Sequence, residues 1–312
     1  MKTNRFTKQI VAISLTGLIS SVAAAAPLCS SWSIPEDKGR LDNSVQDETS
    51  GMALSRVYPR FYMNNDSGDG PNLYVVDEKT LQPKKVSIQN YDPRDAEDLS
   101  LGPCPKSEET CIAIADIGDN SRKRSTIEIV FVKETATFKS SVAPVAHITA
   151  QYPDRAHNAE AFALLPNGEF LIVTKEDGGK AGAATVFRGR TDVDGQTLEK
   201  IGTIDVPAIT KDNLLGGIVT GMSASADGRK LLLLTYVNAI ELSFDPSAKT
   251  LPTTQELAAR GEIRLVKINV LPQQEAITYD RNDLDFYYTT EAERSFLIKK
   301  SKAPVLKVQC LK

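Results

Sequence analysis

Asp95-Ala96-Glu97-Asp98-Leu99 decides how this chain folds, because the same short acidic step comes back along its length. It returns as Asn158-Ala159-Glu160-Ala161-Phe162 and as Gln273-Gln274-Glu275-Ala276-Ile277. Thr49-Ser50-Gly51-Met52 and Val219-Thr220-Gly221-Met222 hold the same place, with Gly where Glu stands in the other copies. Counted from Gly51, the intervals to Glu97, Glu160, Gly221 and Glu275 are 46, 63, 61 and 54 residues. A strand-rich repeat of roughly 40–50 residues is the signature of propeller blades, and longer intervals take up loop insertions.

Each copy leads into the same sequel. A first short strand and a turn are followed by a second strand with a polar end, as in Ile112-Ala113-Ile114-Ala115-Asp116 and Phe170-Leu171-Ile172-Val173-Thr174. Third and fourth strands precede the next copy. Four short strands in each of five units predict an all-β, five-bladed β-propeller of four-stranded antiparallel blades. A sixth, irregular unit between residues 176 and 219 or in the tails is the alternative. In an antiparallel blade the start of strand one and the end of strand two share an edge. Glu97, Glu160 and Glu275, together with Asn64, Asp116, Thr174, Tyr236 and Thr290, are therefore expected around one mouth of the central channel.

Composition sets the outer limits. The chain has 312 residues, 41% hydrophobic and 25% charged, which suits one packed propeller. Its formal net charge is −3, and subtracting Lys2, Arg5 and Lys8 leaves about −6. That balance argues against nucleic acid and allows a cation or a neutral or cationic ligand. Residues 1–26 read as a secretory signal: a basic start, an apolar run from Ile10 to Ala23, and small residues before Pro27. A lipoprotein reading on Cys29 is disfavoured by the bulky Leu28 before it. Residues 27–312 are then one exported domain, periplasmic or secreted, expected to be monomeric and without a membrane span.

Four cysteines in an exported chain imply two disulfides. Three pairings are possible. A local Cys104–Cys111 clasp with a Cys29–Cys310 bridge is preferred, because a propeller must bring its ends together. The chain-entropy model gives the long bridge about 5 kcal/mol and the clasp about 2.5 kcal/mol.

Several polar residues carry candidate chemistry. Asn64-Asn65-Asp66-Ser67-Gly68-Asp69-Gly70 is a Gly-rich turn that only loosely matches a calcium loop, and Asn and Asp also suit such a turn for backbone reasons. In Asp116-Ile117-Gly118-Asp119-Asn120-Ser121-Arg122 the acids suit either cation binding or side-chain bonds that hold a loop, with Arg122 as an ion-pair partner. His157, two residues before a channel-edge position, is the candidate general acid or base. Lys175, in Thr174-Lys175-Glu176-Asp177, suits either an offset to the acids or a substrate anion. Lys175 is the second catalytic candidate beside His157, and Asn64, Asp66, Asp119, Asn120, Arg122, Tyr236 and Glu291 are the candidate substrate-binding residues. Several carboxylates at one opening repel: two charges about 6 Å apart cost close to 3 kcal/mol at an effective dielectric near 20. Oxygen ligands favour calcium, so Glu97, Glu160, Glu275 and Asp116 form the candidate metal site.

The ordered signatures Ser50-Gly51-Met52, Asn64–Asp69, Ala96-Glu97-Asp98 with Asp116–Asn120, Asn158–Ala161 with Val173-Thr174-Lys175, and Glu275-Ala276-Ile277 resemble a family of exported bacterial propeller proteins of uncertain role. That family is loosely similar to phytase-like and esterase-like propellers. The resemblance implies at most a hydrolase. No Gly-x-Ser-x-Gly elbow is present, so a serine hydrolase is not expected. Two readings follow. One is a metal-dependent hydrolase of an ester, lactone or phosphoester; the other is a non-catalytic ligand- or protein-binding propeller with a structural cation.

Overall fold

Five antiparallel sheets stand around one axis, and the innermost strand of each carries a β-bulge at its start. The computed structural model describes residues 26–42, 48–66, 68–175, 182–212, 214–292 and 302–311; residues 1–25 of the expected signal lie outside that set. The inner strands are Thr49–Leu54, Ala96–Pro103, Ala159–Leu164, Val219–Ala224 and Gln274–Tyr279. Each pairs with the next strand in sequence: Arg60–Asn65, Thr110–Asp116, Glu169–Thr174, Lys230–Thr235 and Phe286–Thr290. In every pair the register slips by one residue at the same place, leaving Ser50, Glu97, Glu160, Thr220 and Glu275 unopposed. A bulge of this kind re-aims the side chain of the extra residue.

This corrects the alignment of two units. Ser50 and Thr220, not Gly51 and Gly221, are the equivalents of the three glutamates. The two glycines occupy the next position for a steric reason. A Cβ on Gly51 would lie 2.6 Å from the Leu99 amide nitrogen of the next blade, and one on Gly221 would lie 2.4 Å from the Glu275 carbonyl oxygen. Inner strands converge there, and Ala161 and Ala276 fill the same position in blades three and five.

The five gaps between neighbouring blades are the hydrophobic core. Tyr62, Leu99 and Val130 fill the gap between blades one and two, Phe162 and Phe187 the next, and Val186 and Leu233 the third. Leu234 with Tyr288 and Met52 with Tyr287 complete the circle. Alternation is muted in the inner strands because they are covered on both faces; all six residues of Thr49–Leu54 and of Ala159–Leu164 are buried.

Closure uses both chain ends. The segment Pro304–Val308 is the third strand of blade five, and Glu36–Arg40 supplies the fourth by antiparallel pairing. Ser31–Trp32 pairs with Cys310–Leu311 beyond it. The Cys29–Cys310 disulfide fastens the same junction (Cα–Cα 5.7 Å), and Cys104–Cys111 clasps a blade-two hairpin (Cα–Cα 4.9 Å). Glu241, fully buried in blade four, accepts hydrogen bonds from the Cys29 amide (3.0 Å) and the Tyr279 hydroxyl (2.9 Å). Blades one and two each gain a short parallel fifth strand, Ser141–Val142 and Gln196–Thr197, from the neighbouring blade. A short helix, Thr254–Ala259, is started by a reciprocal Thr253–Glu256 cap. Two disulfides fit maturation in an oxidising environment, and no helix among the described residues is long and apolar enough to cross a membrane.

Candidate functional site

The five bulges face one mouth of the channel, and three of them bring carboxylates. Glu97, Glu160 and Glu275 are 2%, 3% and 5% exposed and lie in mutual electrostatic contact. Asp66, at the end of the blade-one second strand, and Asp95, two residues ahead of the Glu97 bulge, join them. One ligand atom from each of Asp66, Asp95 and Glu97 lies within 4.8 Å of the others. Ser50, on the first bulge, donates a hydrogen bond to Glu97 Oε2 (3.3 Å). Gly118 lies against the cluster, because a Cβ there would approach Glu97 Oε1 to 2.2 Å and the Asp95 carboxyl to 2.5 Å.

A cation of the chain itself reaches the cluster. The Lys175 ammonium pairs with Glu160 Oε1 and sits 5.3 Å from the centre of the Tyr236 ring. The Tyr236 hydroxyl donates to Glu275 Oε1 (3.1 Å), and Glu275 shares a side-chain hydrogen bond with the half-buried Glu291. Glu160 Oε2 is buried and has no hydrogen-bond partner among the described residues. Burial is the largest cause raising Glu97 well above the usual carboxylate range, with Glu160, Asp66, Asp95 and Glu275 adding to it. Burial likewise raises Glu160, against the opposing pull of Lys175, to about 7. Glu275 is raised by burial, Glu160 and Glu291. Burial works against the Lys175 charge, but Glu160, Tyr236 and Glu275 override it and hold the ammonium firmly protonated.

Other expected residues have different employment. Asp116, expected among the metal ligands, is fully buried. It accepts from the backbone amides of Arg94 (2.9 Å) and Asp95 (3.0 Å) and pairs with Arg124 (2.6 Å). Its second-strand end is near the mouth, but its oxygens hold the turn that presents Asp95. The basic partner of Asp116 is Arg124; Arg122 adopts left-handed backbone (φ 51°) in the same loop. Asp119 accepts from Ser121 (3.2 Å) and the Arg124 amide (2.7 Å). Asn158 ties that loop to blade three, accepting from the Asp119 amide and donating to Asn120 Oδ1. Asn64 is buried and donates to the Ala96 carbonyl (3.0 Å), a bond between blades one and two. His157 bonds to Asp154 (3.0 Å) and packs between the rings of Tyr152 and Phe187, and none of these contacts belongs to the acidic cluster. Glu176, Asp177 and Ser67 lie outside the described residues.

Sequence reasoning passed over two acids. Asp95 was visible two residues before the bulge. Asp98, one residue after it, is fully buried on the axis side and accepts from the backbone amides of Leu99 (2.8 Å), Phe162 (2.9 Å) and Met222 (3.2 Å), joining three blades. Innermost strands have no neighbour on the axial edge, and Asp98 satisfies amides left open there.

No family model and no curated protein sequence matches this chain. Solved structures with related architecture include a calcium-binding protein, regucalcin, from Agrobacterium tumefaciens str. C58 (9% identity, 91% of this chain and 97% of that one, TM-score 0.46). A luciferin-regenerating enzyme covers 88% of this chain and 95% of its own (11% identity, TM-score 0.46). A chain of a nidogen–laminin complex covers 78% and 72% (14% identity, TM-score 0.42). Likeness at this level carries nothing about activity. The fold and its acidic mouth define the class, a five-bladed propeller with a carboxylate cluster at one channel opening.

Proposed function

We propose that the acidic mouth binds a calcium-type divalent cation and that the loaded site hydrolyses an ester, lactone or phosphoester. The observation that carries the reading is the donor set. Three carboxylates from two blades converge within 4.8 Å, and a fourth, Glu160, which feels the Asp66 and Asp95 charges, keeps one buried oxygen without a hydrogen-bond partner among the described residues. A buried acceptor left open costs about 1–3 kcal/mol, more when charged, and a cation at this point relieves it. An all-oxygen donor set fits calcium rather than zinc.

Asp66, Asp95 and Glu97 would hold the ion, with Glu160 Oε2 completing the set. Such an ion, when bound, supplies Lewis-acid polarisation of the substrate oxygen. Ser50 steadies Glu97, and the Asp116–Arg124 pair fixes the backbone that carries Asp95. Proton handling falls to Glu275 and Glu291, whose shared hydrogen bond lets one carboxyl keep a proton beside the other. His157, bonded elsewhere, is replaced in that role, and Lys175 stays a cation.

Elemental analysis of purified protein, melting with calcium or with chelator, and a panel of esters, lactones and phosphoesters test the reading. Calcium should raise the melting temperature, and turnover should vanish in Glu97→Gln. Identical melting with calcium and with chelator removes the cation site. A calcium response without turnover of any substrate favours a binding propeller instead.

A further inference from the structure

The acidic mouth already contains one cation, and the chain supplies it. Lys175 follows the second strand of blade three, and its amide donates to the Asn158 carbonyl (3.0 Å), which pins the root of the side chain at the channel edge. Its ammonium meets Glu160 Oε1 and lies over the Tyr236 ring, whose hydroxyl binds Glu275. The second Glu160 oxygen is buried without a partner among the described residues, and the carboxyl feels Asp66 and Asp95. One carboxylate thus faces two cation positions, one of them filled by the protein.

We infer that Lys175 is a tethered counter-ion that shares Glu160 with the divalent cation and sets the affinity of the mouth for it. The inference rests on the cation site proposed above. In the free protein the ammonium relieves repulsion among Glu97, Glu160 and Glu275. With a divalent ion in place, the same ammonium repels it across a single carboxylate. One charge therefore acts with opposite signs on the stability of the free protein and on ion binding. Its consequence is a weak site, in the range of about 10⁻⁴–10⁻³ M that extracellular calcium modules use.

Calorimetric titration with calcium and melting in chelator, on the whole mature protein, separate the possibilities. Lys175→Met should melt lower than wild type in chelator yet bind calcium roughly tenfold tighter or more. Lys175→Arg keeps the charge and should stay near wild type in both measurements. Lys175→Gln, uncharged but able to hydrogen-bond Glu160, should repeat the tightening, and it serves if the Met variant does not fold. Were wild type to bind calcium and the uncharged variants to bind equally or more weakly, the counter-ion role would be overturned while the cation site stood. Failure of wild type and of both uncharged variants to bind calcium would remove the site and this role with it.

Discussion

Acidification should stabilise the calcium-free protein between pH 8 and pH 5, the reverse of ordinary acid sensitivity. Glu160 is raised from 4.5 to about 7, and Glu97 and Glu275 are raised as well. A carboxyl whose folded pKa lies above its unfolded value contributes stability that is fully present below the unfolded value and lost as pH rises through the folded one. Glu160 alone corresponds to about 3 kcal/mol across that window. The proton belongs to the cluster rather than to one residue. Carboxyls held low, such as Asp37 and Asp77, give up their contribution only below pH 4, so they are silent here. At roughly 2–4 °C per kcal/mol, the melting temperature in chelator should rise by about 6–12 °C from pH 8 to pH 5. Saturating calcium should flatten or invert the slope, because ion binding needs the ionised carboxylates. Glu160→Gln should reduce the slope in chelator. Scanning calorimetry across the window is the assay. A melting temperature in chelator that falls steadily from pH 8 to pH 5 would refute the reasoning.

Three further outcomes follow from named contacts. Gly118→Ala pushes a methyl group against the Glu97 and Asp95 carboxyls, so the protein should fold but lose its calcium-induced rise in melting temperature. Asp98→Ala leaves the Phe162 and Met222 amides without their acceptor; at about 1–3 kcal/mol each, denaturant titration should show a loss of roughly 2–6 kcal/mol. Replacing Cys29 and Cys310 by Ser should cost up to about 5 kcal/mol, whereas opening the Cys104–Cys111 clasp should cost about half of that.

The repeat was legible because a bulge needs one extra residue at a fixed place, and three of the five carry a glutamate in plain view. The same signal misled where Gly51 and Gly221 stood beside Ser50 and Thr220: glycine is conspicuous in sequence, but here it answers to a neighbouring blade. Asp116 illustrates a different limit. Its strand-end position was readable, but which atoms its oxygens face depends on Arg124 and on the turn before Asp95, and spacing does not encode those contacts. His157 stands close to Glu160 in sequence, yet the chain turns between them and delivers its ring to Tyr152 and Phe187. Residue proximity along an inner strand reports the edge of the blade, while side-chain partners are set by the blade next door.

Blade five is assembled from opposite ends of the polypeptide: Glu36–Arg40 from the start, and Gln274–Tyr279, Phe286–Thr290 and Pro304–Val308 from the finish. Glu36–Arg40 therefore emerges during synthesis long before the strand it pairs with. Cys29 must wait for Cys310, 281 residues later, while Cys104 and Cys111 emerge side by side. An oxidant acting too early meets a lone thiol with two wrong partners within reach. Correct pairing then depends on the four complete blades forming first and carrying the two ends to a common seam.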